Sequence, residues 1–410
     1  MSGREKENRP RGFRPSRRGF LAAAAGAPLL ATRCAGPGPE QQEEGARPTL
    51  ALQDFQPRSM LKVPEHQVTR AKYPVIDAHT HVAGVFRRPG TPDSKLRGTP
   101  AEQFAQIVRW MDEMNLKLMV NFTSDAGELL DRCLKEMVGA HPGRFVTCVV
   151  PSFENMKDPG YPKRQAEEIR RAKEKGAVAI KLYKSFGLGL REDGKLVKID
   201  DARFAPMFEE AGGLGMPVFI HTADPDAFFL PIDRFNERWE ELANHPDWSF
   251  YGKDYPSKPE LLAARNRIID RHPKTTFVGL HVANHPENLD EVSAWLDKYP
   301  NLYCEIGARL GELGRQPRRA RKFFEQYQDR ILFGTDASPN GVETPQQILI
   351  PEMYHCYFRF LETLDEYFDY APAPVPPQGR WKIYGVGLPD GILKKVYHNN
   401  AARLLGLEAV

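Results

Sequence analysis

Cysteine is scarce in this sequence, and no two cysteines are spaced as metal ligands. Cys133, Cys148, Cys304 and Cys356 are scattered through a chain of 410 residues. The sequence therefore has no zinc motif of the paired-thiolate type. Three of these four residues lie in apolar sequence, which predicts buried thiols.

Long apolar runs are also nearly absent. Apart from residues 20–31, no stretch is apolar for long enough to be considered as a membrane span. A helix made of those twelve residues would be about 18 Å long, whereas the hydrocarbon core of a bilayer is about 30 Å thick. We therefore expect no permanent membrane span.

A basic surface is lacking beyond the N-terminus. The whole chain has a net charge of +3, but residues 1–33 hold eight basic and two acidic side chains, so the rest of the chain carries −3. A slightly acidic body without a basic stripe gives no reason to expect nucleic acid or anionic lipid as a partner. With 41% apolar and 27% charged residues, the composition is typical of a folded globular protein.

The N-terminal basic residues precede an apolar stretch in a recognisable order. The motif Ser-Arg-Arg-Gly-Phe-Leu occupies residues 16–21 and runs into an alanine-rich segment. This arrangement resembles a twin-arginine export signal. The resemblance implies that residues 1–34 are a signal segment, that the twin-arginine export machinery is a partner, and that the protein is periplasmic or otherwise exported. A basic leader that contains paired arginines by chance is the alternative.

Cys34 follows the apolar stretch, at the place where a lipoprotein would be acylated. Arg33 stands directly before it, where a lipoprotein signal has a small residue. We therefore expect no lipid anchor at Cys34. Residues 35–71 begin with a stretch rich in Pro, Gly, Glu and Gln, and we expect them to form a solvated linker and an N-terminal arm.

From about Lys72 onward, short apolar runs alternate with longer amphipathic stretches. Runs that are apolar on both faces are typical of parallel strands covered by helices. Eight such runs predict an α/β fold over residues 72–410, a single (β/α)8 TIM barrel. A doubly wound sheet would typically carry a glycine-rich phosphate-binding turn after its first strand, but histidines stand there instead. The predicted strands are 75–76, 118–122, 145–150, 177–180, 217–220, 276–280, 302–306 and 331–334.

One connection is much longer than the others. About forty residues separate the strand that ends near Ile220 from the helix near Leu261. Loops of this length are usually functional or disordered, and the many aromatic residues here disfavour disorder. We define residues 225–262 as the insertion, and we expect either a lid over the barrel mouth or a structural cap over apolar surface.

Ligand-type side chains stand at the ends of several predicted strands. The first strand continues as Asp-Ala-His-Thr-His at residues 77–81, and strand alternation places the Asp and both His on one face. A histidine directly follows the fifth and the sixth strand, and an aspartate follows the eighth. The C-terminal ends of all barrel strands meet on one rim, where such barrels build active sites. The residues that predict a metal site on this rim are His79, His81, His221, His281 and Asp336.

These motifs together resemble the amidohydrolase superfamily, and in particular its amidohydrolase-related branch of aminocarboxymuconate-semialdehyde decarboxylase-like proteins. The opening at residues 77–81, the single histidines after strands five and six, and Gly-Thr-Asp at residues 334–336 carry the resemblance. It extends from about Lys72 to Leu407 and includes the closing segment at residues 397–405. As a set the motifs are specific for the superfamily, but they do not identify a substrate.

The resemblance implies one divalent ion that activates water. Imidazole and carboxylate suit Zn²⁺, Mn²⁺, Fe²⁺ or Ni²⁺, and three or four protein ligands with an open position are typical of catalytic zinc, so zinc is our expectation. His281 is expected to act as the base on the activated water, and Asp336 to pass a proton to the leaving group. The implied ligands are His79, His81, His221 and Asp336.

Lys181, on the fourth predicted strand, leaves the metal count open. In binuclear members of the superfamily a carbamylated lysine at about this place bridges two ions, whereas in the branch that this chain resembles a similar lysine meets a substrate carboxylate. We expect one ion, with Lys181 binding substrate. Arg87 and Arg88, in the loop after the first strand, are further candidates for binding a substrate carboxylate.

Three functions are compatible with these residues. The first is a metal-dependent hydrolase of a small amide, ester or lactone. The second is a metal-dependent carboxy-lyase that decarboxylates a small unsaturated or aromatic acid, and the third is an exported binding protein without catalysis. The intact ligand set argues against the third, which would not need His281. Export favours hydrolysis over decarboxylation, so we predict a hydrolase of a small-molecule substrate, and a homo-oligomer is left open.

Overall fold

The computed structural model describes residues 49–51, 54–86, 95–252, 254–341 and 344–407. The chain divides into two units, residues 1–57 and residues 58–410. In the first unit only residues 49–51 and 54–57 are described, and they are exposed. The predicted signal segment and Cys34 lie outside the described residues. All strands and helices given below belong to the second unit.

Eight parallel strands form the centre of this unit, one in each predicted run. Strands β1 to β3 pair in order, as do β4 to β8. Parallel bridges from Val149 to Ile180 and from Thr80 to Ala337 join the two groups into a closed ring, which confirms the (β/α)8 barrel. The strands are β1 (Val75–Thr80), β2 (Leu116–Asn121), β3 (Phe145–Thr147), β4 (Ile180–Leu182), β5 (Val218–Ile220), β6 (Phe277–Gly279), β7 (Leu302–Glu305) and β8 (Ile331–Leu332).

Helices follow the strands and cover the outside of the ring. Two of the longer ones begin with a capping box, since Thr99 and Ser257 each exchange hydrogen bonds with a glutamate three residues later. The helices are α1 (Pro100–Met114), α2 (Glu128–Arg132), α3 (Tyr161–Lys175), α4 (Ser185–Leu188), α5 (Ala205–Gly213), α6 (Trp239–Asn244), α7 (Lys258–Arg271), α8 (Leu289–Lys298), α9 (Leu310–Arg315), α10 (Pro317–Gln326), α11 (Pro351–Glu362), α12 (Asp390–Lys394) and α13 (Asn400–Leu405). None of the helices within the described part of the chain is long and apolar enough to cross a membrane.

The apolar core has two layers. An inner layer fills the barrel with side chains such as Ile76, Val120 and Phe219, and an outer layer packs the strands against the helices. The thiols of Cys133, Cys148 and Cys304 are buried in these layers, as predicted, and Cys356 is half-buried. Because the inner layer closes the barrel from within, polar side chains can gather only at its ends.

The insertion is folded and contacts the rest of the barrel through ion pairs. Besides α6 it contains the short helical turns Asp226–Phe229 and Pro246–Trp248. Its aromatic side chains stack locally, with the rings of Phe228 and Trp248 6.5 Å apart. Several ion pairs connect it to other segments, among them Arg238 to Glu312, Glu237 to Arg315 and Glu240 to Arg380.

Candidate active site

His79, His81 and Asp336 converge at the C-terminal end of the barrel. Nε2 of His79 lies 3.0 Å from Oδ1 of Asp336, and Nε2 of His81 lies 3.1 Å from the same oxygen. The pairing of β8 with β1 brings them together, because the Asp336 amide donates to the His79 carbonyl at 2.8 Å. Ligand atoms from all three residues lie within 4.8 Å of one another, which makes the group a candidate for holding one ion.

The second ring nitrogen of His79 is held by Glu305, at the end of β7. Nδ1 of His79 lies 3.1 Å from Oε1 of Glu305, and both side chains are fully buried. Since a carboxylate only accepts, Nδ1 donates to Glu305, and Nε2 is the ring nitrogen that faces Asp336 and would bind an ion. A carboxylate behind a ligating histidine fixes its tautomer and ring orientation, as is usual for metal-binding histidines. Nδ1 of His81 is likewise engaged, 2.9 Å from the Thr123 hydroxyl.

His281 lies in a left-handed turn directly after β6. The φ angles from His281 to Asn284 are all between 50° and 57°, an unfavourable conformation for side chains other than glycine. Glu305 holds the start of this turn, because its Oε1 accepts the His281 amide at 2.5 Å. Nδ1 of His281 donates to the Gly307 carbonyl at 2.8 Å, which leaves Nε2 without a proton and 3.9 Å from Oδ2 of Asp336.

His221 completes the group of histidines at the end of β5. Its ring centroid lies 4.4 Å from that of His281. Nε2 of His281 is buried without a hydrogen-bond partner among the described residues, and Nε2 of His221 lies 3.4 Å from Oδ1 of Asp224, outside hydrogen-bond geometry. Buried polar nitrogens are rarely left unpaired, so these two atoms fit a role in binding an ion or a water molecule. The donor set of imidazoles and one carboxylate fits a divalent transition metal.

Lys181 is buried on β4 beside this group. Its Nζ lies 3.4 Å from Nε2 of His79 and 4.6 Å from the centroid of the Phe122 ring. Burial lowers the pKa of the Lys181 ammonium to about 8. No carboxylate among the described residues forms an ion pair with it.

Burial favours the neutral form of His81, His221 and His281, whereas at His79 the carboxylates of Asp336 and Glu305 outweigh burial and raise the pKa. Burial lowers the pKa of His221 to about 4, and together with neighbouring His221 and Arg309 it holds the pKa of His281 well below its usual range. Burial by itself would raise the pKa of the Asp336 carboxyl. The adjacent histidines outweigh this effect and hold the pKa well below its usual range. Neutral imidazoles beside an ionised carboxylate are the protonation states that bind a metal ion.

Comparison with known proteins agrees with this geometry. The amidohydrolase family model matches residues 76–407. The chain belongs to the amidohydrolase family. Membership of this family and the convergent ligand cluster together indicate a metal-dependent enzyme that uses a divalent ion. No curated protein matches the chain in sequence.

Several solved structures are distantly similar to this amidohydrolase. One is 2,6-dihydroxybenzoate decarboxylase from Rhizobium, with 16% identity, a TM-score of 0.46, and coverage of 82% of this chain and 99% of the other. The 4-oxalomesaconate hydratase from Rhodopseudomonas palustris has 15% identity, a TM-score of 0.45, and coverage of 81% and 95%. A probable 2-pyrone-4,6-dicarboxylic acid hydrolase from Acinetobacter baumannii has 12% identity, a TM-score of 0.46, and coverage of 81% and 99%.

A cavity of about 360 Å³ opens onto the histidine cluster. Besides the cluster, the amidohydrolase barrel contributes Lys181 and Arg309 to its wall, and the insertion contributes Phe228, Arg238 and Trp248. The insertion therefore forms part of the cavity wall. Within the part of the chain that the structure describes, six residues of the wall carry a buried polar atom without a hydrogen-bond partner, namely His221, Arg238, His281, Arg309, Gln346 and Gln378.

The structure brings the predicted site residues of the barrel together, with the exception of two that it does not describe. The side chains of His79, His81, His221, His281, Asp336 and Lys181 all lie at this cavity or directly beneath it. Arg87 and Arg88 lie outside the described residues.

Gln347 and Arg309 are among the polar residues of this site that sequence reasoning missed. Gln347 donates a hydrogen bond to Oδ2 of Asp336, and Arg309 lies beside His281 in the cavity wall. Neither follows a strand directly, so no strand-end signal pointed to them.

Proposed function

We propose that this amidohydrolase is a hydrolase that cleaves a small amide, ester or lactone with water. The observation that carries the proposal is the state of His281. Its Nδ1 proton is committed to the Gly307 carbonyl, so Nε2 is a free base beside Asp336 at the cavity floor. A neutral imidazole in that position is suited to taking a proton from water.

The proposal includes one divalent ion, with zinc as the expected metal. His79, His81, His221 and Asp336 would hold it, and the position of the His221 ring, 4.4 Å from the His281 ring, supports this assignment. When bound, a divalent cation acidifies water and polarises a carbonyl oxygen. The proposed membership of the aminocarboxymuconate-semialdehyde decarboxylase-like branch belongs to the same hypothesis.

The protein side chains would then divide the work of hydrolysis. Nε2 of His281 accepts a proton from water while the water oxygen bonds to the carbonyl carbon. Asp336 then passes this proton to the leaving nitrogen or oxygen as the bond between that atom and the carbonyl carbon breaks. Buried Lys181 would bind an anionic part of the substrate.

The reaction type can be tested by isotope labelling. The purified chain is incubated in ¹⁸O-water with a panel of small esters, lactones and amides, and in parallel with aromatic and unsaturated carboxylic acids. We expect a product carboxylate that carries one ¹⁸O atom. Release of CO2 from an acid, with no water-derived oxygen in the product, would identify a carboxy-lyase instead. If neither occurs, the binding-protein alternative is favoured.

Variants separate the ligands from the base. His79→Ala and His221→Ala are expected to lose metal and activity together. His281→Asn is expected to keep the metal and to lose a factor on the order of 10² or more in rate, as for a missing acid/base group. His141→Asn, outside the cavity, is the matched control. If His281→Asn empties the site, the division between ligand and base is wrong.

The number of ions is tested by metal analysis of protein purified without chelator. One ion per chain is expected, both in the native chain and in Lys181→Ala. Close to two ions, with one lost in Lys181→Ala, would show that a carbamylated Lys181 bridges two metals.

We also propose export through the twin-arginine machinery, which the motif at residues 16–21 supports. Expression of the full chain in a bacterium with this machinery should place it in the periplasmic fraction. Replacement of both Arg17 and Arg18 by Lys should retain it in the cytoplasm. Periplasmic accumulation of that variant would contradict the proposal.

A further inference from the structure

Arg309 is a buried cation in the wall of the cavity. It stands between β7 and α9, with 5% of its surface exposed. Ala308 directly before it has a φ of 55°, so the chain turns sharply here and directs the following residue along the rim. The guanidinium lines the same cavity as His221 and His281.

The hydrogen-bonding capacity of Arg309 is mostly unused. Nη1 donates to the carbonyl of Ala308 at 2.7 Å, whereas Nε is buried without a partner. No carboxylate among the described residues forms an ion pair with this guanidinium. Arg238 in the same wall differs, because Glu241 and Glu312 both bind it. Burial of an unpaired charge is costly, so such an arrangement persists where a ligand supplies the missing partner.

The charges of the cavity wall point to the sign of that ligand. Lys184 is paired with Asp224 at 2.7 Å, and Arg238 is paired with Glu241 at 2.7 Å. Lys181 and Arg309 are the two wall cations without a carboxylate partner among the described residues. An anionic group that entered the cavity beside Arg309 would therefore meet a cation that has no ion-pair partner among the described residues.

The geometry of a guanidinium selects among small anions. Its planar fork donates two parallel hydrogen bonds to a carboxylate, which makes it the preferred side chain for recognising that group. Gly307, whose carbonyl fixes His281, lies two residues before Arg309 on the same loop. A carboxylate bound to Arg309 is therefore held at a defined place relative to the proposed base.

We propose that Arg309 is the residue that makes this enzyme specific for substrates with a carboxylate group in addition to the bond that is cleaved. The inference rests on the proposed function only for which bond of the substrate is cleaved. Binding of a carboxylate to Arg309 does not depend on that function. Arg309 contacts the substrate and orients it. The hydrolysed carbonyl and the carboxylate bound to Arg309 are different groups of the same small molecule.

Binding of matched anions and neutral isosteres tests this specificity without turnover. The purified full chain is titrated calorimetrically with benzoate and succinate, and with benzamide and succinamide as neutral controls. The native chain should bind the carboxylates and discriminate against the amides. Arg309→Gln should weaken carboxylate binding about 10- to 100-fold, the loss that corresponds to one charge-assisted contact, and should leave amide binding within about twofold.

Two further variants keep the test decisive. Arg309→Lys retains the positive charge but not the planar fork of the guanidinium, so this variant should bind carboxylates with intermediate affinity. It replaces Arg309→Gln in the test if that variant does not fold. Arg319→Gln, an exposed arginine outside the cavity, should bind as the native chain does. Carboxylate binding that is unchanged in both Arg309 variants, or no carboxylate binding by the native chain at millimolar concentration, overturns the proposal. The labelling experiment can fail while this one succeeds, and the reverse, so the two proposals are separable.

Discussion

Glu305 and Asp336 bind opposite nitrogens of the His79 ring. Oε1 of Glu305 lies 3.1 Å from Nδ1, and Oδ1 of Asp336 lies 3.0 Å from Nε2. The first contact orients the ring, and the second places Nε2 beside Asp336 in the group of candidate ligands. The candidate ligand His79 is thus oriented by a carboxylate that lies 226 residues away in the sequence.

Glu305→Gln is expected to weaken metal binding about 10- to 100-fold, because an amide holds the Nδ1–H of His79 less strongly than a carboxylate does. Competition with a chromogenic chelator measures the affinity. Glu237→Gln, which alters an exposed ion pair with Arg315, is the control and should bind metal as the native chain does. An unchanged affinity in Glu305→Gln would show that the contact does not orient the ligand.

Gly307→Ala is expected to damage the same site by crowding. A Cβ at this position would lie 2.6 Å from Oε2 of Glu305 and 3.2 Å from Nδ1 of His79. We expect a loss of about 1–3 kcal/mol in the free energy of unfolding, together with weaker metal binding. Gly213→Ala at the end of α5, where a Cβ meets nothing within 4 Å, is the matched control and should be neutral or slightly stabilising. Urea unfolding and chelator competition measure the two effects, and a Gly307→Ala variant with native metal affinity would contradict the prediction.

Arg238→Met tests how firmly the insertion is fixed. The guanidinium is buried between Glu241 and Glu312, so its removal leaves carboxylates buried without a partner, at a cost of about 3–5 kcal/mol. Arg315→Met removes a partly exposed arginine paired with Glu237 and should cost no more than about 1 kcal/mol. Urea unfolding and limited proteolysis of residues 225–262 follow the two variants. Equal losses in both would favour a loosely attached lid over a fixed cap.

Asp365→Asn is expected to destabilise the barrel in a pH-dependent way. Burial opposes ionisation of Asp365, but hydrogen bonds from His66 and Arg359 outweigh it and hold the carboxyl pKa below its usual value. The ionised carboxylate therefore stabilises the folded state above the unfolded pKa of about 3.9, and this stabilisation is lost as the pH falls through the folded pKa.

The Asp365→Asn variant should lose about 1–3 kcal/mol of unfolding free energy near neutral pH. The difference from the native chain should shrink below about pH 4, where the native carboxylate also becomes protonated. Urea unfolding at several pH values measures this. Asp112→Asn, at an exposed ion pair with Arg144, is the control. A difference that is independent of pH would show that the charge of Asp365 does not contribute.

The strand-end residues of the site were predictable because, in a parallel barrel, the place of a residue along its strand shows at which end of the barrel it lies. All eight strands run in parallel, so a polar residue directly after an apolar run must lie on one rim. His221 directly follows β5, whereas His79 lies near the end of β1, His281 two residues after β6 and Asp336 four residues after β8. Their convergence required no knowledge of strand register, only the number and direction of the strands.

Glu305 marks the limit of that reasoning. Strand alternation allows its side chain to point either into the barrel or at a helix, and only the closed ring places it against His79 and the His281 amide. The Glu305 carboxylate fits because Gly307 and Gly334 beside it have no side chains. The sequence alone does not show why glycine is needed at these two positions, because it does not show which residues lie next to them.

The sequence by itself determined the barrel and the set of metal-type ligands, since apolar periodicity and the residues at strand ends are local properties of the chain. Only the tertiary structure decided which nitrogen of each histidine is free, and which wall cations are paired. Arg238 and Arg309 are equally basic in the sequence, yet Arg238 meets two carboxylates and Arg309 forms no ion pair with a described carboxylate. The reason is physical, because protonation and ion pairing depend on distances between atoms from remote segments, and folding alone sets those distances.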